Sequence, residues 1–225
     1  MKPHVKSKQR VADYGEVLTP SHIVNAMLDL VKQETDRIDS RFLEPACGTG
    51  NFLVEILNRK LCVVEARYAK SQLEYERYAI LAVSSIYGID ILEDNAEECR
   101  QRLFAVFDQA YKRLFKKKTK EQCRETVRYI LSKNIVHGDA LTLKTVGTNP
   151  QPIVFPEWSL MSGSLLKRRD FAFHELFLSP GERPPSLFES KKYHVSDLGE
   201  NVFIPEPVKD YPPVHFLEVA HAYNE

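Results

Sequence analysis

A chain of 225 residues with an apolar fraction of 43% is long enough to bury a core of its own, and its 31 basic and 31 acidic residues cancel, so a nucleic-acid partner would have to be met by a local patch. No run of about 18 apolar residues occurs, so no membrane-spanning helix is expected, and the basic start Met1-Lys2-Pro3-His4-Val5-Lys6-Ser7-Lys8 lacks the apolar stretch of a signal peptide. Cys47, Cys62, Cys99 and Cys123 are scattered and the histidines have no ligand spacing, which predicts reduced thiols, no metal and a cytoplasmic protein.

Along the chain, Thr19-Pro20-Ser21 reads as a helix start, followed by Ile23, Val24, Met27, Leu28 and Val31. Arg41-Phe42-Leu43 reads as the end of a short strand, and Asn51 to Leu57 as a helix with apolar residues at helical spacing. Between them lies "LEPACGTGNFL", Leu43 to Leu53, where Gly48 and Gly50 allow a tight turn and a close main-chain approach. Strand, glycine loop and helix are the layout of a nucleotide-type cofactor site, and equally of an ordinary turn between strand and helix. Residues 60–85 look helical, with Tyr68, Tyr75 and Tyr78 as a core stripe. Ile86 to Ile91 is a short apolar run containing Asp90, as a buried parallel strand would be. Helices from about Glu93 to Phe115 and from about Lys120 to Leu131 lead to a third strand, "NIVHGDAL", at Asn134 to Leu141. Beyond residue 145 prolines accumulate and periodicity fades, except in Pro152 to Phe155 and Phe216 to Ala220. The pattern predicts an α/β core over 1–145, a mainly parallel sheet flanked by helices, and a loop-rich extension over 146–225 that completes the core or docks a partner.

Three strand ends therefore carry three chemical signals. Main-chain donors of the glycine loop can hold an anionic group, an acid at the second tip can accept from ribose hydroxyls, and an acid at the third from an adenine amino group. Ligands of open α/β sheets sit outside the carboxyl ends of the strands, where all three fall. Here the sequence resembles the S-adenosylmethionine-dependent DNA methyltransferases of the adenine-N6 type found in restriction–modification systems. "EPACGTGNFL" at 44–53 is similar to their cofactor loop, and "YGIDILEDN" at 87–95 to their ribose-binding strand end. "NIVHGDAL" at 134–141 resembles the strand whose acid faces adenine, and "YGEVLTPSHIVNAML" at 14–28 the segment that closes over the methionine. The resemblance covers roughly residues 10 to 145 and implies a Rossmann-like methyltransferase fold. It implies that Glu44 meets the methionine amino group, with Pro45, Ala46, Gly48, Gly50, Asn51 and Phe52 forming the loop. Asp90 would hold the ribose and Ile91 pack on adenine; Asp139, with Ala140, would bind the adenine N6, and Thr19 and Pro20 would cover the methionine end. A dinucleotide fingerprint fits worse, because Leu53 stands where G-x-G-x-x-G needs its third glycine.

The resemblance also implies a tetrapeptide of the form Asn/Asp/Ser-Pro-Pro-aromatic, whose polar groups accept from the adenine amino group while the aromatic stacks on the extruded base. No such tetrapeptide occurs. Phe155-Pro156-Glu157-Trp158 is nearest by placement; Asn149-Pro150-Gln151-Pro152 lacks the aromatic, and Tyr211-Pro212-Pro213-Val214 comes late. The chain thus reads as a DNA methyltransferase or as a cofactor-binding part that needs a second methyltransferase or specificity subunit. Phe171, Phe173, Phe177 and Phe203 either complete the core or dock that partner. The basic runs Lys112 to Lys120 and Lys167-Arg168-Arg169 are candidate DNA-phosphate contacts or simply solvated charge.

Overall fold

The computed structural model describes residues 7–177, 193–195, 201–203 and 205–223. Helix α1 (Lys8–Tyr14) starts where the Ser7 side chain accepts from the Arg10 N–H, and stops at Gly15 in a left-handed conformation. Next come α2 (Ser21–Asp29), entered through Pro20, α3 (Lys32–Thr35) and strand β1 (Phe42–Glu44). The stretch expected to be one helix over 60–85 is two, α4 (Asn51–Tyr68) and α5 (Gln72–Ser84), because the Ser71 side chain caps a new start. Tyr68 and Tyr78 stack across that break at 4.0 Å between ring centres, and Tyr75 is buried.

Strand β2 (Ile86–Asp90), α6 (Glu93–Phe115), α7 (Glu121–Asn134) and β3 (Ile135–Asp139) follow within a few residues of their sequence-expected bounds. β1 pairs with β2 and β2 with β3, all parallel, through Glu44 opposite Gly88 and Asp90 opposite His137. The short β4 (Lys144–Thr145) adds antiparallel to β3. The result is a mixed α/β protein with a mainly parallel sheet, as the alternation of strands and helices requires.

The segment expected to be loop-rich contains a long hairpin, β5 (Val154–Leu160) and β6 (Leu165–Ala172), paired over seven positions. Beyond it come β7 (Tyr193–Val195) and β8 (Asn201–Phe203), paired with each other, then β9 (Lys209–Asp210) and β10 (Val214–His215), both on β6, and α8 (Val219–Ala222). Pro156 is tolerated because β5 is an edge strand.

The larger core fills one face of the sheet, where α4 to α7 meet Trp158, Leu166, Phe216 and Tyr223. A smaller cluster of Tyr87, Ile89, Ile153, Phe155 and Phe173 fills the other face, since Tyr87 and Ile89 alternate with Ile86 along β2. Phe173 therefore belongs to the chain's own core; the side chains of Phe177 and Phe203 lie outside the described residues.

Candidate functional site at the carboxyl ends of three strands

The parallel register places the carboxyl ends of β1, β2 and β3 side by side, about 4.8 Å between neighbouring strands. Glu44 ends β1. Burial pushes its carboxyl above the usual 4.5, offset by the Ala46 N–H at 3.4 Å from Oε1. Gly48 and Gly50 both take left-handed conformations, φ 52° and 84°. Gly50 is doubly required, because a Cβ there would come within 2.5 Å of the Cys99 sulfur on α6. Cys47 is buried, and its contact with Cys99, followed by burial, keeps its thiol protonated, as suits a packing residue.

Asp90 ties this loop to the second strand tip. Its Oδ2 accepts the Gly48 N–H at 2.7 Å, and its Oδ1 accepts the Leu92 N–H at 2.9 Å and the Asn95 amide at 3.2 Å. A carboxylate has about four acceptor positions, so three are engaged by the protein itself. Asp139 accepts the Leu141 N–H at 2.8 Å and the Thr142 hydroxyl at 3.0 Å, which hold its carboxyl below the usual range. Ile91 is 44% exposed and Leu141 95% exposed, two bare apolar side chains just past neighbouring tips. The acceptor positions left on these acids, flanked by uncovered apolar surface, fit an adenosyl group with a cationic methionine end.

Other expected positions take supporting places. Phe52 packs on the larger core and Ala140 on the smaller one. Pro45 and Ala46 are exposed. The Thr19 carbonyl accepts from Asn51 Nδ2 at 2.9 Å, and Pro20 precedes the first residue of α2. Asn95, Arg102, Arg10 and Glu16 escaped the sequence reading; Asn95, five residues beyond Asp90 in "EDN", was the one with a local signal.

The tetrapeptide candidate lies mid-strand in β5, outside the sheet that carries the three tips. Trp158 is 4% exposed, its indole N–H donating to Asn134 Oδ1 at 2.9 Å, so it is closed to stacking on a base. Glu157 pairs with Arg41 at 2.6 Å and also with Arg169. Phe155, Pro156 and Glu157 line a cavity of about 280 Å³ with Leu43, Tyr87 and Phe171, beside the outer edge of β1. The second basic run is spent internally: Arg168 forms a buried pair with Asp170 at 2.6 Å, and Lys167 pairs with Asp210 at 3.1 Å. Among the described residues no cluster of three metal-ligating side chains occurs, and no helix is long and apolar enough to cross a membrane.

The family model of the MmeI DNA-methyltransferase domain matches residues 21–151, and the chain belongs to that family. Among curated proteins, the type II restriction enzyme and methyltransferase RM.BcgI of Heyndrickxia coagulans is 33% identical over 93 residues, covering 41% of this chain and 12% of that protein. The chain thus aligns with about an eighth of that relative's length. No solved structure matches.

Proposed function

We propose that the chain binds S-adenosylmethionine at the three strand tips, in a Rossmann-like methyltransferase fold, and serves methylation of adenine N6 in DNA. It would act in the cytoplasm within a restriction–modification system, the setting that the name of its relative suggests. The observation that carries this reading is the meeting of Glu44, Asp90 and Asp139 at adjacent tips, with the glycine loop bonded directly to Asp90. The bound cofactor would supply a methyl group on a cationic sulfur. The chain's own tasks are then to pair Glu44 with the methionine ammonium and to bring the Pro45 and Ala46 carbonyls near it, on a turn that the Gly48 N–H ties to Asp90. Asp90 offers its remaining acceptor position to ribose, Asp139 accepts from the adenine amino group, and Ile91 and Leu141 cover the ring.

A second reading draws on the residues of β5. An adenine amino group needs a free acceptor, whereas Glu157 is committed to two arginines and Trp158 is buried. We therefore favour a cofactor-binding part whose catalytic tetrapeptide and target recognition come from outside these 225 residues, as from a second methyltransferase or specificity subunit. Phe155 and Pro156 would then wall the cavity next to β1 rather than perform chemistry.

Calorimetry with S-adenosylmethionine tests the site. Asp139→Ala should weaken binding about tenfold, the loss of one hydrogen bond to a charged group, with only a small fall in the unfolding midpoint because its partners Leu141 and Thr142 are local and exposed; equal affinity would remove Asp139 from the site. Affinity should also fall as pH drops through a value above 4.5, where Glu44 takes up its proton, and Glu44→Gln should abolish that inflection. Transfer of labelled methyl to mixed-sequence duplex DNA separates the two readings: activity of the chain alone retires the two-subunit one.

A further inference from the structure

Asn51 and Asn95 occupy equivalent places. Asn51 opens α4 directly after the glycine loop, and Asn95 lies in the first turn of α6 after the β2 tip. Each amide is used at both ends. Asn51 Oδ1 accepts from Arg102 at 2.9 Å while its Nδ2 donates to the Thr19 carbonyl at 2.9 Å. Asn95 Oδ1 accepts from Arg10 at 3.2 Å while its Nδ2 donates to Glu16 at 2.7 Å and to Asp90 at 3.2 Å. The arginines are themselves fixed: Arg102 also meets the Thr49 carbonyl and hydroxyl at 2.5 and 2.9 Å, and Arg10 pairs with Asp94 at 2.7 Å and Glu16 at 2.6 Å.

We infer that Asn51 and Asn95 are positioning residues that fasten the segment 8–20 against the strand tips and couple its closure to cofactor binding. Among short side chains, only an amide carries a strong donor and acceptor on one planar group that needs no protonation to serve both ends. A carboxylate at 51 keeps Arg102 and loses the Thr19 carbonyl, and a carboxylate at 95 keeps Arg10 but turns its lost donor toward the acids of Glu16 and Asp90. Because Asn95 donates to Glu16 and Asp90 together, the acid proposed to hold the ribose and the segment proposed to cover the methionine share one amide. The inference rests on the cofactor reading above and adds to it two residues whose role is to hold other groups in place.

Hydrogen exchange of residues 8–20 and calorimetric affinity for S-adenosylmethionine, measured on the wild type, Asn51→Asp and Asn95→Asp, test it. Both exchange in that segment without cofactor and the cofactor Kd should rise about tenfold in Asn95→Asp, which loses a bond to a charged group, and about threefold to tenfold in Asn51→Asp, which loses a neutral one. In Asn95→Asp, adding Glu16→Gln returns a donor to the pair and should recover most of both losses, a rescue that a general loss of packing would not give. Asn51→Ala and Asn95→Ala repeat the test without an added charge. Unchanged exchange in all variants overturns the fastening, and faster exchange with wild-type affinity overturns the coupling. A wild type that binds no cofactor defeats the cofactor reading and the coupling together, and exchange alone then judges the fastening.

Discussion

At the amino edge of the parallel sheet, Lys60 and Asn134 have no solvent contact and their polar atoms are matched. Lys60 donates to the carbonyls of Ile38 and Ser40 and to Ser85 Oγ at 2.6 Å. Asn134 donates to the carbonyls of Ser84 and Ile86 at 3.1 and 3.0 Å and accepts from Trp158. At the carboxyl edge, Glu44 and Asp139 are only half covered, and Ile91 and Leu141 stand bare. Buried polar groups at the first edge leave nothing for a ligand, because each is already satisfied. Spare acceptors beside apolar surface at the second edge are what a ligand can use. The proposed site lies where the protein stops satisfying itself.

The comparison makes stability a property of the amino edge and the hairpin that packs on it. Arg168 lies in this layer, its guanidinium 5.8 Å from the Trp158 ring centre and 4.4 Å from that of Tyr211, and paired with Asp170, itself 6% exposed. Arg168→Ala should therefore give the largest effect, a loss of about 3–5 kcal/mol in denaturant unfolding, because a buried carboxylate is left without its partner. Replacing both residues by apolar ones of similar size should cost far less. A small loss in the single variant would mean that the hairpin is peripheral to the fold and would break the contrast between the two edges.

Lys60→Met comes next, at about 1–3 kcal/mol for carbonyls left unsatisfied. Burial lowers the Lys60 pKa from 10.5 to about 7, with Asp39 opposing and Arg37 adding to the shift. Between those values the unfolded chain holds a proton that the folded chain has released, so wild-type stability rises with pH from about 7 toward 10.5. Below 7 both states are protonated and the burial cost is present in full. Unfolding free energies measured across this window should show that slope in the wild type and a flatter one in Lys60→Met, and equal slopes would remove Lys60 as its source.

What was legible in the sequence follows the same division. β2 declares itself because a parallel strand buried at all five positions is a short apolar run, and α6 because it keeps one apolar stripe; β1, the glycine loop and β3 are read from the glycines and strand-end acids beside them. The hairpin was hidden for a physical reason: the inward positions of β6 are Leu166, Arg168, Asp170 and Ala172, so the period-2 alternation is present in burial but erased in polarity by an internal ion pair. Lys60 is invisible in the same way, a cation inside the core. At the tips, Asp90 and Asp139 could be read as strand-end acids, whereas Arg102, 51 residues from the Asn51 it holds, could be found only in three dimensions.

The smallest expected effect concerns the basic run. Lys112, Arg113 and Lys120 are paired with Asp108, Glu65 and Glu76, and Lys116, Lys117 and Lys118 have no ion-pair partner among the described residues, which makes them the charge available to a phosphate backbone. They follow the last turn of α6, whose 23 residues span roughly 35 Å from the β2 tip, past the amino edge of the sheet. On the proposed reading, DNA would be engaged at the carboxyl edge and would have no reason to reach them. Changing all three to glutamine should leave DNA affinity within about twofold and the slope of log affinity against log salt unaltered, whereas three true phosphate contacts would flatten it by nearly three units. A flattened slope would show DNA running along the helical layer to the amino edge, and the two edges would then share one function instead of dividing stability from binding.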